Sequence, residues 1–292
     1  MKQKTPCGTS TGDVRVATLP FRRDILPADP LTERSRAIWA AGDYDAISAG
    51  FRQEAEAFVE RRELEPGQAV LDAACGSGNL TIPAARTGAR VTGLDLVPSL
   101  LEVARCWAEQ EELSLQLDVG SVEELPYGDG EFDLVLSMFG VMFAARPDRV
   151  IEELARVTRP GGEVALANWT RGGFVGQMLA LHARRVSPPA GVPSPLLWGN
   201  EMWIREMFDE DTWQLTTRAR TLTFRYPYSP AGTAELFRTS YGPTVRVFEA
   251  LDESARASFA DQLLAHWSSH QRGSGETTVV DSEYLEVVAV KR

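Results

Sequence analysis

The segment Val70-Leu71-Asp72-Ala73-Ala74-Cys75-Gly76-Ser77-Gly78-Asn79 constrains the fold more than any other. An apolar run that reads as a buried strand ends in a turn with two closely spaced glycines. A helical pattern from Leu80 to Arg86 begins just beyond. Glycine lets a backbone come close to a ligand, and a helix N-terminus offers it unpaired N–H groups. Many nucleotide-binding sheets share that much. A dinucleotide site of the dehydrogenase kind expects a third glycine three residues after the second, where this chain has Thr81. A phosphate loop with Gly-Lys-Ser/Thr is absent. Asp72, closing the strand, would repel a pyrophosphate but suits a cationic or amine-bearing ligand. The turn reads as a site for a nucleoside with a positively charged tail.

The second strand, Ala89 to Leu94, supplies the partner, because it ends at Asp95. A carboxylate there can accept hydrogen bonds from both hydroxyls of a ribose. An Asp ahead of a Val-Pro helix start is also a common cap, and the two readings stand side by side. Beyond it, the pattern predicts a helix over Pro98 to Glu109, strands over Leu113–Leu117 and Phe132–Met138, and a helix over Arg149–Val157. A strand over Glu163–Trp169 follows the Pro-Gly-Gly stop at 160–162. Short apolar strands separated by helices of this length imply right-handed crossovers and a parallel sheet.

Outside that core the texture loosens. Residues 1–30 carry Pro6, Pro20, Pro27 and Pro30 and read as an extended arm without an apolar run of signal-peptide length. Residues 31–64 predict two short helices joined at Gly42-Asp43-Tyr44. Residues 171–292 predict helices around a proline-rich loop, helices interrupted at Gly242-Pro243, and strands over Leu215–Tyr226 and Tyr284–Val290. The longest uncharged apolar stretch, Leu134–Ala145, is too short to cross a bilayer.

Composition excludes more. The formal charge is −11, which argues against holding nucleic acid or an anionic membrane by bulk charge. Cys7, Cys75 and Cys106 are too few and too scattered for a disulfide framework, and with His182, His266 and His270 they form no metal-binding spacing. The expectation is a cytoplasmic protein without a metal.

Five ordered motifs carry a family resemblance: Val70–Asn79, Gly93-Leu94-Asp95, Glu124-Leu125-Pro126-Tyr127, Phe132-Asp133-Leu134-Val135, and Leu154 to Glu163. Together they resemble the class I S-adenosylmethionine-dependent methyltransferases over residues 65–170, most of all the branch containing the ubiquinone and menaquinone C-methyltransferases. Residues 39–45 and 193–199 also resemble bacterial members whose substrates are mostly unassigned. The resemblance implies a doubly wound, Rossmann-like, mostly parallel α/β sheet of seven strands. Residues 31–64 would be a helical lid, and residues 171–292 a helical cap plus the last two strands. It also implies S-adenosyl-L-methionine as cofactor and S-adenosyl-L-homocysteine as product.

Residue by residue, it implies that Asp72 and the turn Ala73, Ala74, Gly76, Gly78 and Asn79 face the methionyl end. Asp95 would bind the ribose and Leu96 pack on the adenine. Ser121 and Val122 stand where the family usually has Asp-Ala, and Ser137 would lie near the methyl-transfer centre. Ala74 replaces the first glycine of the family turn, a substitution tolerable if its φ is negative.

Methyl transfer from a sulfonium needs positioning above all, and a base only if the acceptor must lose a proton. The acceptor is expected to be a small molecule in a pocket built outside the core, with Phe139, Met142, Trp169, Trp198, Trp203 and Tyr241 as candidate walls. Tyr44 is placed to close over the cofactor, and His182 is the weak candidate for a base. No nucleic-acid module is attached, and the chain after the fourth strand, Ser137-Met138-Phe139-Gly140, lacks the Asn-Pro-Pro-aromatic signature of DNA and protein amide methylation. The alternative is a sheet that binds the cofactor without catalysis, as a scaffold or regulator.

Overall fold

Strand β1 (Ala69–Ala73) has β2 (Arg90–Asp95) on one side and β4 (Phe132–Met138) on the other, both parallel to it. The structure is a computed structural model and describes residues 29–292, so the expected arm lies outside the described residues except for Asp29 and Pro30. With β3 (Gln116–Val119), β5 (Thr158–Trp169), β6 (Trp213–Tyr226) and β7 (Thr278–Lys291), the sheet runs β3-β2-β1-β4-β5-β7-β6. Only β7 is antiparallel to its neighbours β5 and β6. This is the doubly wound, mostly parallel seven-stranded sheet that the sequence implies.

Helices α1 (Pro30–Trp39), α2 (Tyr44–Ser48) and α3 (Arg52–Glu60) precede the sheet. Crossovers α4 (Thr81–Arg86), α5 (Pro98–Gln110) and α6 (Pro147–Val157) connect its parallel strands. Covered on both faces, the central strands are almost wholly apolar, and Val70, Leu71, Val135, Leu136, Val164 and Leu166 have no exposed surface. Helix α6 lays Val150, Ile151, Leu154 and Val157 on the sheet, one helical face.

The cap follows β5 as α7 (Phe174–Arg185), α8 (Glu201–Met207), α9 (Pro230–Ser240), α10 (Gly242–Ala250) and α11 (Glu253–His270). No helix of the described residues is long and apolar enough to cross a membrane.

Three local expectations change. The third strand begins at Gln116 rather than Leu113, because Glu112 takes a left-handed φ of 56° and the Leu113 N–H closes α5 on the Ala108 carbonyl at 2.8 Å. The Pro-Gly-Gly stop lies inside β5: Thr158 already pairs with Phe132, and the register then jumps to Glu163 opposite Leu134. The two helices expected over 31–64 are three. Their second break falls at Gly50, where any side chain would overlap the ring of Tyr226, whose hydroxyl donates to the Ile47 carbonyl at 2.6 Å. That contact joins residues 179 positions apart and leaves no local trace.

Candidate functional site

The chain leaves β1 towards β2 on one side and returns to it through β4 on the other, so a crevice opens at their carboxyl ends. A cleft lies there. Ala74, Cys75 and Gly76 form its floor. Asp95, Leu96 and Val97 line one wall, continued by Gly120–Glu123 after β3, and Met138, Phe139 and Gly140 line the other. Thr32, Ser35, Trp39 and Tyr44 cover it.

Asp95 organises the floor. Its Oδ2 accepts from the Gly76 N–H at 2.8 Å and its Oδ1 from the Val97 N–H at 2.9 Å, tying the glycine turn to the start of α5. Asp95 is therefore a cap and a cleft residue at once, and a carboxylate has lone pairs left for a ligand. Burial pushes its pKa up to about 6, against the pull of those N–H groups. Asp72 is buried too and pushed up to about 7 by desolvation, with the Asp95 charge adding to the rise. The Thr81 hydroxyl donates to Asp72 at 2.6 Å. The residue standing in place of a third glycine thus holds the strand-end carboxyl in position.

The two glycines of the turn do different things. Gly76, with φ of 56°, lies under the Tyr44 ring, 3.5 Å from where a Cβ would stand. Gly78, with φ of 92°, turns away, and a Cβ there would meet Ala104 of α5 at 3.1 Å. Ala74 is left-handed as well, with φ of 58°. The expectation that its methyl is accommodated at negative φ is corrected: a non-glycine residue is held where glycine is favoured, at a cost of roughly 1–2 kcal/mol.

A second, narrow chamber lies against the first, sharing Trp39, Tyr44, Phe51, Phe139 and Phe143 as walls. Its other walls include Trp169, Phe224, Phe237 and Tyr241. Phe139, with φ of 57°, stacks on Trp169 with ring centroids 3.5 Å apart. Trp39 sits edge-on to Tyr44 at 5.7 Å and to Tyr241 at 5.8 Å, joining lid and cap over the chamber. Helix α1 is strapped down by Arg36, whose Nε donates to the Leu96 carbonyl at 3.0 Å, and by the Asp29–Arg146 pair.

A methyltransferase-domain family model matches residues 71–166, the stretch that builds the cleft floor and both walls. An uncharacterised protein of Mycobacterium tuberculosis is 35% identical over 265 residues, covering 90% of this chain and 96% of that one. The malonyl-[acyl-carrier protein] O-methyltransferase of Serratia marcescens is 35% identical over 133 residues, 46% of this chain and 51% of its own. Among solved structures, the YcgJ protein of Bacillus subtilis superposes with a TM-score of 0.57 at 16% identity, covering 82% of this chain and 99% of that one. Residues 71–166 form a methyltransferase domain, on the fold of the class I methyltransferases.

Their cofactor is S-adenosyl-L-methionine, and the cleft fits it. A buried carboxylate suits a sulfonium or an amine, since an opposite charge offsets part of its desolvation cost. Leu96, Val97 and Leu100 offer an apolar slot beside Asp95. Of the cofactor candidates, the methyltransferase fold brings Tyr44, Asp72, Ala74, Gly76, Asn79, Asp95, Leu96, Ser121 and Val122 to the cleft surface. Ala73, Gly78 and Ser137 are adjacent but line neither cavity. Ser137 is occupied as a brace: its hydroxyl donates to the Ala73 carbonyl at 2.7 Å and accepts the Val141 N–H at 3.2 Å.

Of the acceptor candidates, Phe139, Trp169 and Tyr241 line the small chamber, whereas Met142 and Trp198 line neither cavity. Trp203 packs on Trp198 at 5.4 Å and faces a separate surface groove. His182 is not brought to the cleft. Its Nε2 lies 3.0 Å from the Thr244 hydroxyl, and burial pushes its pKa down to about 3.

Glu123 was not legible as a cleft residue. It lines the cleft two positions after Ser121, where the family acid is missing, and Arg146 holds its carboxylate at 2.6 Å. Thr32, Ser35 and Phe51 were also missed, because they reach the site from the lid, beyond the range of any local motif.

Proposed function

We propose that this chain methylates a small-molecule acceptor, with S-adenosyl-L-methionine in the large cleft and the acceptor in the aromatic chamber. The observation that supports it is the shared wall: Phe139 and Tyr44 border both spaces, so an acceptor in the chamber lies next to the cofactor's reactive end. When bound, the cofactor supplies the methyl group on a sulfonium. Asp95 accepts the ribose hydroxyls, Leu96 packs on the adenine, and Asp72 with the Ala74–Gly76 turn faces the methionyl end. Phe139 and Trp169, locked by their stack, fix the acceptor's approach, and the aromatic walls exclude water. Positioning of this kind supplies up to roughly 7–11 kcal/mol of the barrier in favourable cases. Among the described residues no Asp, Glu, His or Lys lines the chamber, so the acceptor atom must attack without a charged base beside it.

Incubation with methyl-labelled S-adenosyl-L-methionine and a panel of hydroxylated and aminated aromatic compounds tests this reading. The expected result is label in an organic-extractable product, with S-adenosyl-L-homocysteine formed in equal amount. Tight cofactor binding with no transfer across the panel would favour a silent scaffold instead.

A further inference from the structure

The small chamber has an uneven chemistry. Among the described residues its walls carry no charged side chain, and most are ring faces or aliphatic groups. Taking a carboxylate or ammonium into such a space without a partner is costly, so a charged ligand is excluded from it. The Phe139–Trp169 stack and the Phe224 ring offer flat faces suited to a planar ligand.

Two of the lining residues carry hydroxyls. Those of Tyr44 and Tyr241 have no hydrogen-bond partner among the described residues, although Tyr241 is only 4% exposed. Neither is among the polar atoms sealed away from solvent space without a partner, and both residues line the chamber. Both rings meet the same neighbour, the Trp39 indole, in T-shaped contacts. Burial holds both phenols well above their ordinary pKa, with Asp95 adding for Tyr44 and Tyr44 for Tyr241, so both keep their protons. A protonated, unpartnered hydroxyl in an apolar wall is a donor waiting for an acceptor.

We propose that the chamber takes a flat, uncharged aromatic compound bearing an oxygen, and that the Tyr44 and Tyr241 hydroxyls donate to that oxygen. The inference rests on the methyltransferase reading of the cleft and adds the class of acceptor and the two residues that select it. The tyrosines are specificity determinants: they distinguish an oxygenated ring from a bare one, while the stack distinguishes planar from branched ligands.

The test uses the full-length protein saturated with S-adenosyl-L-homocysteine, titrated at neutral pH with naphthol, naphthalene and naphthoate and followed by tryptophan fluorescence. Naphthol should bind about tenfold more tightly than naphthalene, and naphthoate most weakly. Tyr241→Phe should cost naphthol roughly three- to tenfold, the size of one hydrogen bond, and leave naphthalene unchanged. Tyr44→Phe should weaken naphthol by a similar factor. Equal affinity for naphthol and naphthalene, or tightest binding of naphthoate, would overturn the proposal from the wild-type protein alone. S-adenosyl-L-homocysteine binding without any binding of the three rings would overturn it too and leave the cofactor reading standing. Failure to bind S-adenosyl-L-homocysteine would instead strike the methyltransferase reading itself.

Discussion

Ala74 and Gly140 meet across the floor of the cleft with no room for a second methyl: a Cβ on Gly140 would lie 2.7 Å from the Ala74 Cβ and 2.8 Å from its carbonyl oxygen. Ala74 and Phe139, the neighbour of Gly140, are both non-glycine residues in the left-handed region. Backbone strain is thus gathered where the cofactor cleft and the aromatic chamber join, a place where strain is maintained only if the surroundings enforce it.

Ala74→Gly should therefore stabilise the ligand-free protein by about 1 kcal/mol, set against the greater freedom glycine gives the unfolded chain. Gly140→Ala should lose about 1–3 kcal/mol by overpacking. Adding Ala74→Gly to it should restore part of that loss, because one of the two clashes disappears. Denaturant unfolding of the three variants checks the set, and an additive double variant would mean that the two positions do not touch in solution.

The buried carboxylates make a pH prediction. Asp72 and Asp95 have folded-state pKa values raised to about 7 and about 6, above their unfolded value near 3.8. Their contribution to stability is complete below the unfolded pKa and is lost as pH rises from about 4 to about 7. A bound cation favours the ionised forms, so cofactor affinity should change the opposite way and tighten over pH 5–8, with proton release on binding below pH 7. Asp72→Asn should flatten both dependences while keeping an acceptor for Thr81. Calorimetry in buffers of different ionisation enthalpy measures the released protons, and uptake rather than release would reverse the assignment of charge.

His182 titrates the other way. Its folded pKa is depressed to about 3, so the stability it contributes is present above about pH 6.5 and lost as pH falls towards the folded value. His182→Gln should reduce sensitivity to acid and lower stability at neutral pH through the buried Thr244 contact. The pH profile of methyl transfer should keep its shape, with kcat within a few-fold of wild type. A lost limb in that profile would make His182 a base after all.

How much of this was legible depends on range. The glycine turn, Asp72 and Asp95 follow one another within a strand–turn–helix unit, so spacing alone places them at one sheet edge. The aromatic chamber could be guessed only as a composition. Trp169 and Tyr241 were named with Trp198 and Met142, and nothing local separates the two that line it from the two that do not. Gly50 breaks a helix because Tyr226, far along the chain, fills the space above it. The left-handed φ of Ala74 leaves no mark on the local sequence, and Gly140, which packs beside it, arrives from beyond the end of β4.

The lid differs from the cap in what it should feel. Trp39 and Tyr44 line the cleft, whereas Trp198 lines neither cavity. Hydrogen exchange should therefore slow over residues 36–50 when S-adenosyl-L-homocysteine binds and stay unchanged over residues 187–205. Equal slowing of both segments would mean that cap and lid close as one body.

The central claim is that the cleft around Asp95 binds S-adenosyl-L-methionine, and calorimetric titration of the wild-type protein and Asp95→Ala with S-adenosyl-L-homocysteine tests it most directly. Asp95 both accepts the Gly76 and Val97 N–H groups and faces the cleft, so its loss unpairs groups on the protein and on the ligand, each worth on the order of 1–3 kcal/mol when buried. The wild type should bind saturably, one to one, and a folded Asp95→Ala protein at least about tenfold more weakly. The same dissociation constant in both proteins would contradict it.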